Sequence, residues 1–199
     1  MNTINKIISI ALLTFTINSY THAMPQGPYV GGGIGGSILN NFSDTSKKND
    51  GLQFAGRIFA GVNLMEWLGL ELSYAKYGET EYTLDDTYDS VTFNYHLNTT
   101  SLVAKGYFPL DKEKKWNFYG LFGVAYVNAN ADMLFFDTKI ANESSHAYSP
   151  TVGIGATYTF NQHLLTNIEY SYVNGKDGNS SHIAIPDSNL LTWNIAVVF

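Results

Sequence analysis

Four charged residues lie within apolar stretches of the chain, where charges are least expected. They are two basic and two acidic residues from four separate stretches: Arg57, Glu71, Lys105 and Glu169. A charge removed from water persists only when it is paired and hydrogen-bonded. We therefore predict that these side chains meet inside the fold as a structural ion-pair network. The alternative is a gate, in which the pairs exchange partners and open a narrow path for ions.

Histidine and serine residues could supply a nucleophilic site, so hydrolytic chemistry has to be considered. The histidines after residue 23 are His96, His146, His163 and His182, and serines directly precede His146 and His182. Both pairs lie in predicted outer loops, and adjacent residues of a strand point to opposite faces, so this adjacency is weak evidence for a Ser–His dyad. No histidine pair has the spacing of metal ligands. We predict no catalytic residue, no metal site and no cofactor.

Two other segments have compositions that could bind ions. Residues 79–89 (ETEYTLDDTYD) hold five acidic residues and no base, which predicts a solvated loop, with divalent-cation binding as the alternative. Residues 31–36 (GGGIGG) resemble a phosphate loop only superficially, because no Lys-Ser/Thr ending follows. On a strand, these glycines would permit curvature and close packing.

Overall composition excludes several classes of protein. The chain has 199 residues, a formal net charge of −6 and no cysteine. A negative charge disfavours nucleic acid as a partner, and the lack of cysteine excludes disulfide scaffolds and thiolate metal sites. Eighteen glycines and 15% aromatic residues fit short, closely packed strands better than a helical bundle.

The first residues have the layout of an export signal. Lys6 precedes an apolar run of eleven residues, 7–17, and a polar segment ends at Ala23. The run is too short to cross a hydrocarbon core of ~30 Å, so a signal peptide cleaved after Ala23 is expected rather than a membrane anchor. The domains predicted are a signal peptide over 1–23 and a barrel over 24–199.

After the signal, apolar residues alternate with a period of two, which is typical of strands. Long polar connections follow the first, third, fifth and seventh strands, and short ones follow the second, fourth and sixth. This regular alternation indicates an up-and-down meander with all its long loops at one end, as in transmembrane barrels. The eight strands are predicted over residues 29–39, 52–63, 68–77, 98–108, 116–128, 147–160, 164–173 and 189–199.

The two faces of these strands differ, and the difference favours a membrane barrel over a soluble, lipocalin-like one. One face is large and apolar, whereas the other holds Gly, Ser, Thr and Ala with isolated charges rather than a Lys/Glu-rich surface. Aromatic residues gather at strand ends, as lipid–water interfaces favour. We predict that these interfacial aromatics are Tyr29, Trp67, Tyr77, Phe108, Trp116 and Phe160. The fold predicted is all-β, an eight-stranded antiparallel up-and-down transmembrane β-barrel.

Three segments resemble the OmpA-like transmembrane barrel family. They are LQFAGRIFAGVNLMEWLGLELSYAKYG, LVAKGYFPLDKEKKWNFYGLFGVAY and the terminal LLTWNIAVVF. The resemblance implies that the four strand charges form the family's lumen cluster. It also implies that the terminal strand carries the assembly signal, on Trp193, Ile195, Val197 and Phe199. The usual Tyr-Arg-Phe ending is here Val-Val-Phe, and we expect the barrel without the family's peptidoglycan-binding domain.

The expected function is that of an integral outer-membrane protein with a structural and surface-contact role, such as adhesion or host contact, its lumen plugged by charged residues. The expected partners are outer-membrane lipids, lipopolysaccharide, the outer-membrane assembly machinery and a host or cell-surface ligand of the long loops. A narrow gated pore is the first alternative. A lipid A-modifying enzyme that uses a loop histidine is the second.

Overall fold

Nine β-strands make up the regular structure of the residues that can be described. The computed structural model describes residues 24–40, 52–86, 89–113, 115–135, 138–176 and 185–199. The expected signal peptide, residues 1–23, lies outside the described residues. No helix among the described residues is long and apolar enough to cross a membrane. The strands are β1 (Gly27–Asn40), β2 (Gln53–Met65), β3 (Leu68–Lys76), β4 (Thr80–Asp86), β5 (Asp89–Pro109), β6 (Trp116–Phe135), β7 (Thr138–Thr159), β8 (Leu164–Val173) and β9 (Asp187–Val198).

The strands close into a barrel because β1 pairs with both β2 and β9, and β3 pairs with β5. All pairings are antiparallel. Strand β4 does not add a wall of its own, since it continues β3 along the same neighbour: Lys76 pairs with Asn98 of β5, and Thr80 pairs with Tyr95. The wall of the barrel is therefore eight-stranded, and the predicted fold is confirmed.

Strands β5, β6 and β7 are much longer than the sequence pattern predicted, at 21, 20 and 22 residues. With β4, they form long hairpins that take up most of two segments predicted as loops, residues 78–97 and 129–146. The acidic segment 79–89 was likewise predicted as a loop, but residues 80–86 form β4. The prediction failed because neighbouring strands satisfy each other's backbone hydrogen bonds whether or not one face is apolar. We call the end of the barrel that carries the β4–β5 and β6–β7 connections the hairpin end, and the opposite end the short-turn end.

The apolar face of the wall points outward, as predicted. Ile34 is 57% exposed, Leu72 54% and Trp193 59%, whereas the residues that alternate with them point into the lumen. In β9, Thr192 and Asn194 are buried between outward-facing apolar neighbours. A continuous apolar band of this kind around the barrel is unfavourable in water and suits a lipid bilayer.

Two of the predicted interfacial aromatics do not lie on the outer face. Tyr29 and Tyr77 are 4% and 2% exposed and lie in the lumen. In β1 the outward parity belongs to Val30, Ile34 and Ile38, so Tyr29 necessarily points inward. Position near a strand end thus does not identify an interfacial residue unless its parity is also known.

Candidate functional site in the barrel lumen

The four strand charges meet in one layer across the lumen. They come from β2, β3, β5 and β8. Arg57 donates through Nη1 to Glu169 and through Nη2 to Glu71. Lys105 Nζ lies 2.7 Å from Glu71 Oε2 and 2.8 Å from Glu169 Oε2. Each cation therefore contacts both carboxylates, and all four residues are buried.

Two tyrosines complete the hydrogen bonding of the carboxylates. Tyr29 Oη donates to Glu71 Oε2 at 3.0 Å, and Tyr119 Oη donates to Glu169 Oε2 at 2.8 Å. Each carboxylate thus accepts one guanidinium, one ammonium and one phenol hydrogen bond. This complete pairing offsets the cost of removing the charges from water. The sequence pattern assigned Tyr29 to the lipid interface and no role to Tyr119, although their parity relative to the outward-facing residues could have placed both in the lumen.

An aromatic ring covers the short-turn side of the two cations. Phe59 lies two positions after Arg57 on the same inward face of β2. Its ring centre lies 5.1 Å from Arg57 Cζ and 5.6 Å from Lys105 Nζ, within range of a cation–π interaction. The Tyr119 ring centre lies 4.9 Å from the same ammonium nitrogen.

Inward-facing glycines make room for these rings. A Cβ built on Gly31 would overlap the Phe59 ring, and one built on Gly155 would overlap the Tyr119 ring. The GGGIGG segment therefore forms part of β1, where its inward glycines leave space for large side chains of the neighbouring strands. An eight-stranded barrel has an interior that side chains can fill completely, and here large and small residues alternate to do so.

Apolar clusters close the lumen on both sides of the charged layer. Toward the short-turn end, Met24, Tyr107, Leu165 and Val198 pack with Phe59 and the tyrosines. Toward the hairpin end lies a cluster that contains Leu39, Tyr77, Tyr95, Leu97, Val127, Val173, Ile185 and Leu190. The cavities between these clusters and the charged layer each hold no more than about one or two water molecules.

The other four predicted interfacial aromatics lie on the outer surface of the short-turn end. Trp67, Phe108, Trp116 and Phe160 are exposed there. Tyr158, which was not predicted, joins two of them, with ring centres 4.8 Å from Trp116 and 5.0 Å from Phe160. Tyrosines gather toward the hairpin end instead, and sequence analysis did not assign them to an interface: Tyr74, Tyr126, Tyr148 and Tyr170.

The residues of the predicted assembly signal share the outward face of β9 and its end. Trp193, Ile195, Val197 and Phe199 are all exposed, the last of them 70%. The backbone N–H of Phe199 donates to the carbonyl oxygen of Pro28 at 2.9 Å, so the C-terminus is joined to the start of β1. Their role in assembly stays a prediction.

The histidines do not come together. His96 and His146 lie on strands near the hairpin end, His163 lies in a short turn at the opposite end, and His182 lies outside the described residues. No group of three or more His, Cys, Asp or Glu side chains in the described part of the chain could hold a metal ion. No hydrogen bond joins a serine hydroxyl to a histidine ring among the side chains that the structure describes.

Comparison with known proteins identifies the family to which this barrel belongs. A family model described as the outer membrane protein beta-barrel domain matches residues 7–199. The chain belongs to this family. The membrane barrel predicted from the sequence is confirmed, as is the resemblance to outer-membrane barrels. The protein resides in the bacterial outer membrane. By the orientation usual for such barrels, its short turns face the periplasm and its long hairpins face the exterior.

Solved structures of other outer-membrane barrels share the fold. OprG of Pseudomonas aeruginosa has a TM-score of 0.58 at 15% identity, with 90% of this chain and 99% of that chain covered. Neisserial surface protein A has a TM-score of 0.57 at 17% identity, covering 87% and 97%. Ail, the attachment invasion locus protein of Yersinia pestis, has a TM-score of 0.54 at 13% identity, covering 87% and 99%. No curated protein matches the sequence of the outer-membrane barrel.

Proposed function

We propose that this barrel is a closed, non-conducting surface protein that uses its external hairpins for adhesion or host contact. The observation that carries the proposal is the continuation of β5, β6 and β7 beyond the apolar band. Along the outward face of β6, exposed Phe122 and Val124 give way to Tyr126, Asn128 and Asn130. The strands thus leave the lipid and present ordered, polar sheet outside it, while the lumen below is filled.

The names of two structural neighbours support this role. Ail is an attachment invasion locus protein, and one of its structures contains a heparin analogue, sucrose octasulfate. The second neighbour is a surface protein of Neisseria. A closed eight-stranded wall with external extensions is compatible with contact through the extensions, because the barrel itself has no room for passage.

Shortening one hairpin tests the proposal. Replacing residues 131–143 by a two-residue Asn-Gly turn removes the tip of the β6–β7 hairpin and leaves the lipid-facing part of both strands intact. We expect bacteria that display this variant to bind cultured host cells much less than bacteria that display the wild type. Gln162→Ala, in a periplasmic turn, is the matched control and should bind as the wild type does. Equal binding by the shortened barrel, at equal surface levels, would contradict the proposal.

A narrow gated pore is the second candidate, and the pairing pattern of the charged layer favours it. Because Arg57 and Lys105 each contact both carboxylates, one pair can break while the other keeps all charges partnered. Planar-bilayer recording of the wild type and of Glu71→Ala distinguishes the two functions. Conductance that appears in the variant supports a gate, and silence in both proteins supports a permanent plug.

A further inference from the structure

A patch of amide, hydroxyl and imidazole side chains covers the outer surface of the barrel just beyond the apolar band. We call it the amide face; its members are Asn94, His96, Asn98, Asn128, Asn130, Ser144 and His146. These residues alternate along their strands with lumen-facing residues such as Leu97, Val127 and Ala129. Their Cα–Cβ bonds therefore point away from the lumen, and Asn128, Ser144 and His146 are the exposed members of the face.

Strand register brings the members of the amide face side by side. Asn98 pairs with Asn128, which pairs in turn with His146. His96, Asn130 and Ser144 form the next row outward. The face continues across three strands over roughly 10 Å and along them over roughly 13 Å, from strand spacing and rise.

Aromatic rings border the amide face on its membrane side. The ring centre of Tyr126 lies 5.1 Å from that of Tyr148 and 5.9 Å from that of His146. Tyr148 is 68% exposed. The patch therefore combines flat apolar rings with hydrogen-bond donors and acceptors that are directed to the same side.

The surroundings of the amide face argue against lipid and against polyanions. Unpaired amides in hydrocarbon are costly, so this surface does not belong in the apolar band. Among the described side chains, the basic residue beside it is Lys76, whose Nζ lies 3.7 Å from Glu79 Oε1. The same oxygen lies 3.3 Å from His96 Nδ1. A surface that recognises sulfate or phosphate groups would instead need several free arginines or lysines.

We infer that the amide face binds the uncharged sugar units of lipopolysaccharide molecules in the surrounding outer leaflet. Sugars present hydroxyl groups to amides and C–H faces to aromatic rings, which matches the chemistry of the patch. The face looks sideways immediately outside the lipid, and the saccharide layer of neighbouring glycolipids lies at that level. The inference concerns the leaflet in which the barrel sits, so it goes beyond the proposed contact with other cells.

Binding to glycolipids with and without sugar tests the inference on the refolded protein in detergent. Lipid A and lipopolysaccharide with its core oligosaccharide share the phosphates of lipid A and differ in the core oligosaccharide. We expect the wild type to bind the core-bearing molecule at least about tenfold more tightly, which corresponds to one or two net hydrogen bonds. Asn128→Ala combined with His146→Ala should lose this preference and bind lipid A unchanged. Gln162→Ala, an exposed amide at the periplasmic end, is the matched control and should keep it.

Two further measurements separate sugar recognition from its alternatives. Free core oligosaccharide should compete with the core-bearing lipid, and the preference should survive about 0.5 M salt, which screens exposed charges. Equal affinity of the wild type for both glycolipids overturns the inference, as does a preference that the double variant keeps or that salt abolishes. Gel mobility before and after boiling verifies that each variant is a folded barrel. None of these outcomes depends on host-cell binding, so they test the inference separately from the proposed function.

Discussion

At the scale of single residues, the central feature is that each of the four charges in the lumen layer has two partners of opposite sign. Glu71 accepts hydrogen bonds from Arg57, Lys105 and Tyr29, so its loss would leave two buried cations with one carboxylate between them. Breaking a buried ion pair from one side is far more costly than losing an exposed pair. The charged layer is therefore a cooperative unit.

We predict that Glu71→Ala destabilises the barrel by about 3–5 kcal/mol, because it leaves an uncompensated buried charge. Urea unfolding in lipid vesicles, followed by tryptophan fluorescence, measures the change. The control is Leu72→Ala, which alters the next residue on the lipid-facing side and leaves the ion pairs intact. A loss below about 1 kcal/mol in Glu71→Ala would show that the layer behaves like an exposed pair.

A second residue-scale prediction concerns the space that glycine leaves for Tyr119. Gly155→Val should displace the ring that donates to Glu169 and lower stability by about 1–3 kcal/mol, as overpacking usually does. Replacing Tyr119 by serine in the same chain should recover part of the loss, because the smaller side chain vacates the site. Gly106→Val is the control, since a Cβ on Gly106 would meet nothing within 4 Å. Equal unfolding midpoints for the two valine variants would contradict this account.

At the scale of elements, β9 joins the last part of the barrel to its first strand, β1. Its outward residues continue the apolar band, its inward Asn194 donates to Asn167 at 2.8 Å, and it pairs with β1 to close the wall. An unpaired strand edge is not tolerated in lipid. The pairing of β9 with β1 therefore satisfies the last open edge of the wall.

Removal of Phe199 should impair insertion into the outer membrane more than synthesis or export, as the proposed assembly signal requires. The measurement is the amount of heat-modifiable protein in outer-membrane fractions compared with the total. Phe160→Ala removes another exposed aromatic from the same end and should insert nearly normally. Outer-membrane levels of the deletion that match the wild type would refute the assembly role.

The properties of individual strands also explain which strand boundaries could be predicted from the sequence. The lipid-facing strands were recognised, because an apolar face that alternates with small polar residues leaves a period of two in the sequence. The outer halves of β5, β6 and β7 lack that contrast, since residues such as Asn128 and Asn130 on their outward face are polar. Pairing between neighbours extends these strands, and a single segment does not contain that information.

At the scale of the whole molecule, closure makes the barrel resistant to unfolding. We predict that the protein migrates faster on an SDS gel before boiling than after it, because the closed wall has no edge from which detergent can unfold it. The membrane fraction of expressing cells supplies the sample. A single species that boiling does not shift, and that is soluble without detergent, would contradict a membrane barrel.

The sequence alone determined the class of fold, the number of strands in the wall and the apolar outer face, because these depend on local alternation, on the lengths of connections and on the composition of the two strand faces. It also pointed to four charged residues, since charges stand out against apolar neighbours. Only the tertiary structure decided how these charges pair, that Tyr29 and Tyr77 fill the lumen, and that apolar clusters close it on both sides. Those features depend on the register between strands far apart in the chain, and register is set by the closed wall as a whole.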